Sequence, residues 1–247
     1  MFKTPALAIF VLVCAALRAT PADGGITKEF IFETAPFASA HALNIVELRN
    51  GKLLATWFGG SGEGQPDVAI WSAEYDRGKW STPVVLAREA EIACFNPVAF
   101  YTNDGRLWLY YKFGPSPDRW SAARRWSDND GATWSAVEHL PAGLYGPIRT
   151  RPLLLLNGVV LSGSSVESYG SWAVWIERSD DDGKTWRRIG PITVRGAQDV
   201  SSREPYGIIQ PSIVQMSDAH LRLYARSTPQ IGRICIADSF DEGLTWT

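Results

Sequence analysis

The feature that most constrains the fold is a repeated eight-residue motif, Ser-x-Asp-x-Gly-x-Thr-Trp. Close copies occupy residues 127–134, 179–186 and 239–246, the first with Asn129 in the Asp place, and a weaker fourth copy spans 72–80. A turn-like pair precedes each copy, and these pairs are Asn50-Gly51, Asp104-Gly105, Asn157-Gly158 and Asp218-Ala219. Such pairs between apolar runs are typical of tight β-hairpins.

The turns and the motifs keep the same register along the chain. From the second residue of each turn to the motif glycine the distance is 27, 26, 25 and 24 residues, and successive turns are 54, 53 and 61 residues apart. Each unit reads as four short strands, and a four-stranded sheet repeated at this interval is a propeller blade. The sequence therefore predicts an all-β β-propeller of four-stranded antiparallel blades near residues 36–80, 94–136, 148–190 and 208–247.

The motif itself is predicted to be structural rather than catalytic. Its Asp can accept backbone hydrogen bonds and lock the turn, its Gly allows a backbone shape that other residues resist, and its Trp is expected to pack between blades. Candidate functional residues are therefore expected outside the motif.

Composition excludes some classes of function. The chain has 24 Lys and Arg against 26 Asp and Glu, a formal net charge of -2, whereas nucleic-acid-binding proteins usually carry a basic excess. With 3 Cys in 247 residues it is not a disulfide scaffold. Cys94 and Cys235 remain if Cys14 is removed with a leader, and the sequence leaves open whether they pair.

The first residues resemble a targeting segment. Lys3 precedes an apolar run at 6–17 and small residues follow, the pattern of a secretory signal peptide. We assign 1–22 to this signal and 23–247 to the propeller, which predicts a secreted or periplasmic protein. The run is too short to span a bilayer, and no later stretch is long enough.

The repeat also predicts where polar residues meet. Residues just before the first apolar run of each unit should lie at one end of the innermost strands; they are His41, Asn96, Arg149, Arg151 and Gln210. Residues seven positions after the turns return to the same end; they are Phe58, Lys112, Ser165 and Arg226. The loops just beyond carry Glu63, Asp67 and Glu167. These positions are expected to converge at one mouth of the central channel.

The residue types at this mouth favour an acidic sugar as ligand. Several cations, Arg226, Arg151, Arg149 and Lys112, would bind a carboxylate, and arginine offers a planar fork for it. Glu63 or Glu167 can act as a general acid or base if burial raises its pKa, with Asp67 a weaker candidate. The three His show no metal-ligand spacing, and no phosphate loop or nucleotide fingerprint occurs, so neither a metal nor a cofactor is predicted.

The motif resembles the Asp-box repeats of the sialidase (neuraminidase) superfamily, over nearly all of residues 35–247. The resemblance implies six blades, so about four would be present here, and a closed four-bladed ring is the alternative. It implies that Arg226 matches one arginine of the carboxylate clamp and that Glu63 or Asp67 takes the acid position. His41 replaces another clamp arginine, and Gln210 replaces the glutamate that activates a tyrosine nucleophile. That tyrosine and the third arginine would lie in blades beyond Thr247.

Three functions remain open at this point. The first is a sialidase-like glycoside hydrolase acting on sialic acid or another acidic sugar, with Glu63 or Asp67 as acid and His41 and Gln210 bonding the sugar. The second is a polysaccharide lyase on uronic-acid glycans, which would suit His41 as a base. The third is a non-catalytic propeller that binds acidic carbohydrate.

Overall fold

The structure is a computed structural model that describes residues 28–194 and 204–247. The predicted signal peptide, 1–22, lies outside these residues. These described residues form sixteen strands: β1 (Ser39–Glu47), β2 (Leu53–Gly60), β3 (Ala69–Asp76), β4 (Lys79–Trp80), β5 (Val84–Ala87), β6 (Cys94–Tyr101), β7 (Leu107–Phe113), β8 (Ser121–Ser127), β9 (Glu138–His139), β10 (Leu153–Leu154), β11 (Val160–Ser168), β12 (Ser171–Ser179), β13 (Arg187–Ile192), β14 (Tyr206–Ser217), β15 (His220–Ser227) and β16 (Cys235–Ser239). Within the described ranges there is no α-helix, only a 3-10 turn at Pro117–Arg119, and the all-β prediction is confirmed.

The strands form four successive antiparallel meanders. Meander 1 contains β1 to β5, meander 2 contains β6 to β9, meander 3 contains β10 to β13, and meander 4 contains β14 to β16. Meanders 3 and 4 share one sheet because β12 and β14 pair in parallel, with Ser171 opposite Tyr206. The number of blades in the closed ring stays a prediction.

The hairpin turns lie where the sequence placed them. Gly51, Gly105 and Gly158 have φ values of 81°, 88° and 90°, a left-handed backbone that favours glycine. Each of their amides donates to the carbonyl three residues earlier, at 2.9, 2.9 and 3.0 Å. These turns connect the first and second strands of meanders 1 to 3.

The three close motif copies fold alike. In each, two consecutive residues are left-handed, the second being Gly131, Gly183 or Gly243. The amide of that glycine donates to the hydroxyl of the motif serine at 2.9, 2.8 and 2.9 Å. The structural interpretation of the motif fits these contacts, since its polar side chains are engaged in closing the turn.

The weak fourth copy at 72–80 does not form this motif. Arg77 and Gly78 are left-handed, but Asp76 pairs directly with Lys79 in a two-residue hairpin. Because the strands meet immediately after this tight turn, no loop remains for a carboxylate to close. Residues 72–80 share only the left-handed pair with the other copies.

Apolar residues fill the spaces between meanders. Leu54 and Ile70 of meander 1 belong to one buried cluster with Leu109 of meander 2, and further clusters join meander 2 to 3 and meander 3 to 4. The motif tryptophans Trp134, Trp186 and Trp246 each pack against one of these three clusters. This confirms that the motif tryptophans pack between repeated units.

The first strands of the four meanders surround one cavity of about 760 Å³. Its walls include Ile45 of β1, Phe100 of β6, Leu154 of β10 and Val214 of β14. Side chains that are far apart in sequence therefore gather around a common axis, as a propeller requires. Cys94 is buried and Cys235 is half-buried, and both are free thiols.

Candidate functional site

Three of the four innermost strands carry the same β-bulge near one end. A non-glycine residue adopts a left-handed backbone at Ala42, Asn96 and Gln210, with φ values of 58°, 43° and 53°. At each bulge the pairing with the second strand shifts by one residue. Bulges re-aim side chains and are frequent next to active sites. The repeated bulge defines one end of the channel, which we call the bulge end.

The bulge fixes which residues are equivalent between meanders. Just before it, His41 pairs with Phe58, Phe95 with Lys112, and Ile209 with Arg226. The sequence predicted that Phe58, Lys112 and Arg226 share a register, and the pairing agrees. On the first strands it grouped His41 with Asn96 and Gln210, whereas His41 corresponds to Phe95 and Ile209. The offset is one residue, because the bulge residue itself follows His41.

Meander 1 contributes an exposed imidazole to the bulge end. The His41 ring stacks on Phe58 with centroids 5.4 Å apart, and its Nε2 lies 2.8 Å from the hydroxyl oxygen of Ser39. Phe58 is buried and contacts Phe95 of meander 2. His41 is therefore held on an aromatic base while its ring remains accessible.

The loop after β2 contains Glu63 and Asp67, two of the three carboxylates that the sequence predicts at the channel mouth. Asp67 accepts hydrogen bonds from the Ser61 amide at 2.8 Å and the Ser61 hydroxyl at 2.7 Å. These bonds lower the pKa of Asp67, so it is ionised and engaged in closing the loop. Glu63 is exposed, and no hydrogen bond ties it to the described residues.

Glu167 of meander 3 lies in the electrostatic field of Arg226 of meander 4, and the two side chains form no direct ion pair. Burial raises the pKa of Glu167, the positive charge of Arg226 partly opposes this, and the negative charge of Asp118 adds to it. Arg226 is exposed and forms no ion pair within the part of the chain that the structure describes. Glu167 also lines a rim cavity of about 250 Å³ with Asp118, Tyr169 and Trp172.

Arg149 reaches across the channel. Its Nη1 lies 3.4 Å from the carbonyl oxygen of Leu43, 106 positions away and next to the bulge in β1. Partial burial lowers the pKa of the Arg149 guanidinium. Arg151 is exposed and lines the 760 Å³ cavity beside Glu47 and Phe100, farther from the bulge end. The structure thus separates two arginines that the sequence treated as equivalent candidates.

Lys112 differs most from the sequence expectation. It was predicted among the cations at the channel mouth, but its side chain is completely buried, and its Nζ donates a hydrogen bond to the carbonyl of Pro147. Burial lowers its pKa to about 7, and the nearby Glu177 partly opposes this. The segment that covers Lys112 comes from a distant part of the chain, which the register of β7 alone does not reveal.

Asn96 and Gln210 lie on the bulges themselves. Asn96 is buried, with 8% of its surface exposed. Gln210 is half-buried, and its backbone amide lies 3.4 Å from the Ser165 hydroxyl. A glutamine side chain does not ionise, so Gln210 can bind a ligand through hydrogen bonds but cannot act as a base.

Sequence reasoning missed Glu177. This residue of β12 is completely buried, and its carboxylate accepts hydrogen bonds from the backbone amides of Tyr145 at 2.9 Å and Gly146 at 2.6 Å. Burial raises its pKa, and the two backbone hydrogen bonds oppose this. The available signal was a glutamate between Ile176 and Arg178 in an apolar strand, since buried charges are rare. Among the described residues no group of three or more His, Cys, Asp or Glu is arranged to hold a metal ion.

The repeated units match a known protein family. A family model described as a BNR repeat-like domain matches residues 51–247. No curated protein sequence is significantly similar to this chain. Within the described residues there is no helix of the length and apolarity needed to cross a membrane.

Solved structures show the same fold at low sequence identity. The NanB sialidase of Streptococcus pneumoniae is 13% identical with a TM-score of 0.68, over 89% of this chain and 53% of that chain. A Trypanosoma rangeli sialidase in complex with sialic acid is 14% identical with a TM-score of 0.62, over 85% and 37%. A protein of unknown function from Dyadobacter fermentans is 17% identical with a TM-score of 0.69, over 84% and 67%. This chain therefore spans about half of NanB, and the likeness establishes a sialidase-like β-propeller fold.

Proposed function

The chain belongs to the BNR repeat-like domain family, and from this premise we propose that it forms a sialidase-type glycoside hydrolase site for sialic acid or another acidic sugar. The fold makes the proposal admissible but does not select the reaction, because one fold hosts many functions. The residues at the bulge end are what favour this reaction. The chain's predicted leader supports a further part of the proposal, that the protein is secreted or periplasmic.

The observation that carries the proposal is an exposed cation, Arg226, whose charge acts on a partly buried carboxyl group, Glu167. Arg226 is exposed, it has no ion-pair partner in the described ranges, and it extends from the strand end that the bulge defines. An arginine in this state offers a fixed positive charge and a two-pronged donor to a substrate carboxylate. Glu167, which lies in the electrostatic field of Arg226, has a pKa raised by burial, which suits a group that must carry a proton to a leaving oxygen.

The other residues at this end would orient the sugar. His41 presents an accessible ring nitrogen, and Gln210 presents a neutral amide. Neither carries a fixed charge, so both suit hydroxyl or amide groups of a sugar better than its carboxylate. Arg149, which reaches the Leu43 carbonyl, provides a second cation from meander 3.

The acid assignment moves from the β2 loop to Glu167. The sequence favoured Glu63 or Asp67, and both remain candidates for contact with substrate. However, the Ser61 hydrogen bonds lower the pKa of Asp67, which disfavours proton donation at neutral pH. Of the three carboxyl groups, Glu167 is the one whose burial keeps it protonated to higher pH.

A fluorogenic sialoside tests the proposal directly. Release of the fluorophore by the protein is expected, with loss of most activity in Glu167→Gln and a raised KM in Arg226→Ala. Arg222→Ala is the matched control, since Arg222 lies on the same strand but pairs with Asp238. Absence of turnover together with unchanged sialic acid affinity in Arg226→Ala would contradict the proposal.

The lyase alternative gains support from one observation, the accessible His41 ring on its aromatic base. A lyase would remove the proton beside a uronic carboxylate and leave a conjugated alkene. New ultraviolet absorbance on uronic-acid polymers, abolished by His41→Gln, would favour that reaction over hydrolysis. Binding of acidic sugars without either reaction would favour a non-catalytic propeller.

A further inference from the structure

The chain segment before β10 is built differently from its counterparts. In meanders 1, 2 and 4 the innermost strand is 8 to 12 residues long. In meander 3, β10 has two residues, and residues 145–152 before it form no strand. A segment without a strand ladder must have its backbone groups satisfied in another way, because buried unpaired groups are costly. This segment also carries Arg149 and Arg151.

Two buried charged side chains supply the missing partners. Glu177 of β12 accepts the amides of Tyr145 and Gly146 at 2.9 and 2.6 Å. Lys112 of β7 donates to the next carbonyl, that of Pro147. Both side chains are completely buried, and the charge of Glu177 acts on Lys112. Two ionisable side chains from two meanders thus hold the backbone of three consecutive residues.

The residues on either side of Arg149 are also anchored by hydrogen bonds. The amide of Ile148 donates to the Gly163 carbonyl at 2.9 Å, and the Thr150 hydroxyl donates to the Pro211 carbonyl at 2.7 Å. Arg149 lies between these two anchored residues. Its own side chain has one hydrogen-bond partner among the described residues, the Leu43 carbonyl.

We propose that Lys112 and Glu177 are positioning residues that fix the backbone at 145–147 and so direct the Arg149 guanidinium across the channel toward the bulge of β1. The proposal deepens the function proposed above and rests on it for the claim that Arg149 meets the acidic substrate. It gives a physical reason for two fully buried charges. Burying ionisable groups adds little net stability compared with apolar residues of similar size, whereas their hydrogen bonds to the backbone can specify one backbone arrangement.

The first test needs no ligand. The Nη1–H signal of Arg149, the group that donates to the Leu43 carbonyl, is assigned in an NMR spectrum by its loss in Arg149→Lys. In Glu177→Gln its exchange with solvent is expected to accelerate roughly tenfold or more, as a locally opened segment allows. Lys112→Met should produce the same change, and it serves as the second variant if Glu177→Gln fails to fold. Glu74→Gln and Lys52→Met are matched controls, because this ion pair lies in meander 1.

An unchanged Arg149 signal would overturn the proposal. Specifically, Glu177→Gln could lose amide protection at Tyr145 and Gly146 while the Arg149 signal stays as in the wild type. In that case the hydrogen bonds of the buried side chains to the backbone at 145–147 do not direct Arg149. Overall destabilisation without positioning would instead change signals throughout the chain.

The second test connects the positioning residues to ligand binding. N-acetylneuraminic acid is the probe, and its dissociation constant is measured for the wild type, Glu177→Gln, Arg149→Ala and the double variant. Each single change is expected to weaken binding roughly tenfold, and the double variant should be no weaker than Arg149→Ala, as for strongly coupled residues. Additive losses would overturn the proposal.

The two tests separate this proposal from the proposed function. Suppose that Glu177→Gln accelerates the solvent exchange of the Arg149 signal, while Arg149→Ala leaves the affinity for N-acetylneuraminic acid unchanged. The positioning is then supported and the substrate assignment fails. If binding depends on Arg149 but not on Glu177 or Lys112, the substrate assignment stands and the positioning is overturned.

Discussion

Asp181 and Thr185 are joined by two hydrogen bonds that close the loop of the second close motif copy, 179–186. The Thr185 amide donates to Oδ1 of Asp181 at 2.8 Å, and the Thr185 hydroxyl donates to Oδ2 at 2.7 Å. Asp241 and Thr245 repeat the pair at 2.9 and 2.6 Å. In the first copy Asn129 takes this place and still accepts the Thr133 amide at 2.9 Å.

The natural asparagine predicts how this position tolerates change. Asp181→Asn should keep the bond from the Thr185 amide and cost under about 1 kcal/mol, whereas Asp181→Ala should cost about 1–2 kcal/mol by leaving both donors without a partner. Chemical denaturation measures both values. An alanine variant as stable as the asparagine variant would contradict the structural interpretation of the motif.

The same pair has a defined pH dependence. Burial works to raise the pKa of Asp181, but the hydrogen bonds from Thr185 and Ser179 outweigh it and the net pKa is lowered. A lowered carboxyl pKa stabilises the fold above the unfolded value and loses this effect as pH falls through the folded value. The stability advantage of wild type over Asp181→Asn should therefore shrink below about pH 4.

Gly146 is predicted to be intolerant of any side chain. Its φ is 62°, and an added Cβ would overlap the ring of Tyr110, approaching Cε1 to 2.9 Å. Gly146→Ala should lower the free energy of unfolding by roughly 2–4 kcal/mol, from left-handed strain and overpacking together. Gly158→Ala is the matched control, because Gly158 is also left-handed at 90° but has no atom within 4 Å of the added Cβ. Equal losses in the two variants would show that the Tyr110 contact is unimportant.

The sequence predicted the repeat more reliably than the site. The turns at Gly51 and Gly105 and the motif at 179–186 depend on a few neighbouring residues, and local residue types determine such structures. By contrast, the burial of Lys112 depends on Pro147, 35 positions away, and periodicity within β7 carries no information about that contact.

The bulges explain the remaining error. Asn96 and Gln210 are left-handed without being glycines, so no glycine marks the extra residue in the strand. Counting back from the turns therefore reached the correct end of the channel but misaligned His41 with its counterparts by one residue. Glu177 escaped notice for a related reason, since its partners at 145–146 form no regular element.

Lys112 is predicted to make stability rise with pH near neutrality. Burial lowers its pKa to about 7 from 10.5, so between these values the unfolded chain binds a proton that the folded chain does not. Stability then increases with pH, by up to about 1.4 kcal/mol per pH unit for one proton. Urea denaturation of wild type and Lys112→Met at about pH 7.5 and 8.5 measures the difference.

The Lys112→Met comparison cancels the other groups that titrate in this range. Burial raises the pKa of the Cys94 thiol to about 12, which acts in the opposite direction at higher pH but equally in both proteins. Lys52→Met is the control for loss of a lysine as such, because Lys52 pairs with Glu74 at the surface of meander 1. Parallel pH slopes for wild type and Lys112→Met would mean that Lys112 keeps its proton in the fold.

Asp118 is predicted to tune the acidity of Glu167. Burial raises the pKa of Glu167, and the negative charge of Asp118 contributes in the same direction. Asp118→Asn should therefore lower the pKa of Glu167 and leave it ionised at lower pH. Since a general acid acts in its protonated form, the alkaline limb of the pH–rate profile should move to lower pH.

Carbon-13 NMR titration of the Glu167 carboxyl measures its pKa even without turnover. The control is Asp128→Asn, a change at an exposed aspartate paired with Arg106, which should leave the pKa of Glu167 unchanged. A Glu167 titration that is unchanged in Asp118→Asn would show that Asp118 does not act on the pKa of Glu167 and has no part in the site.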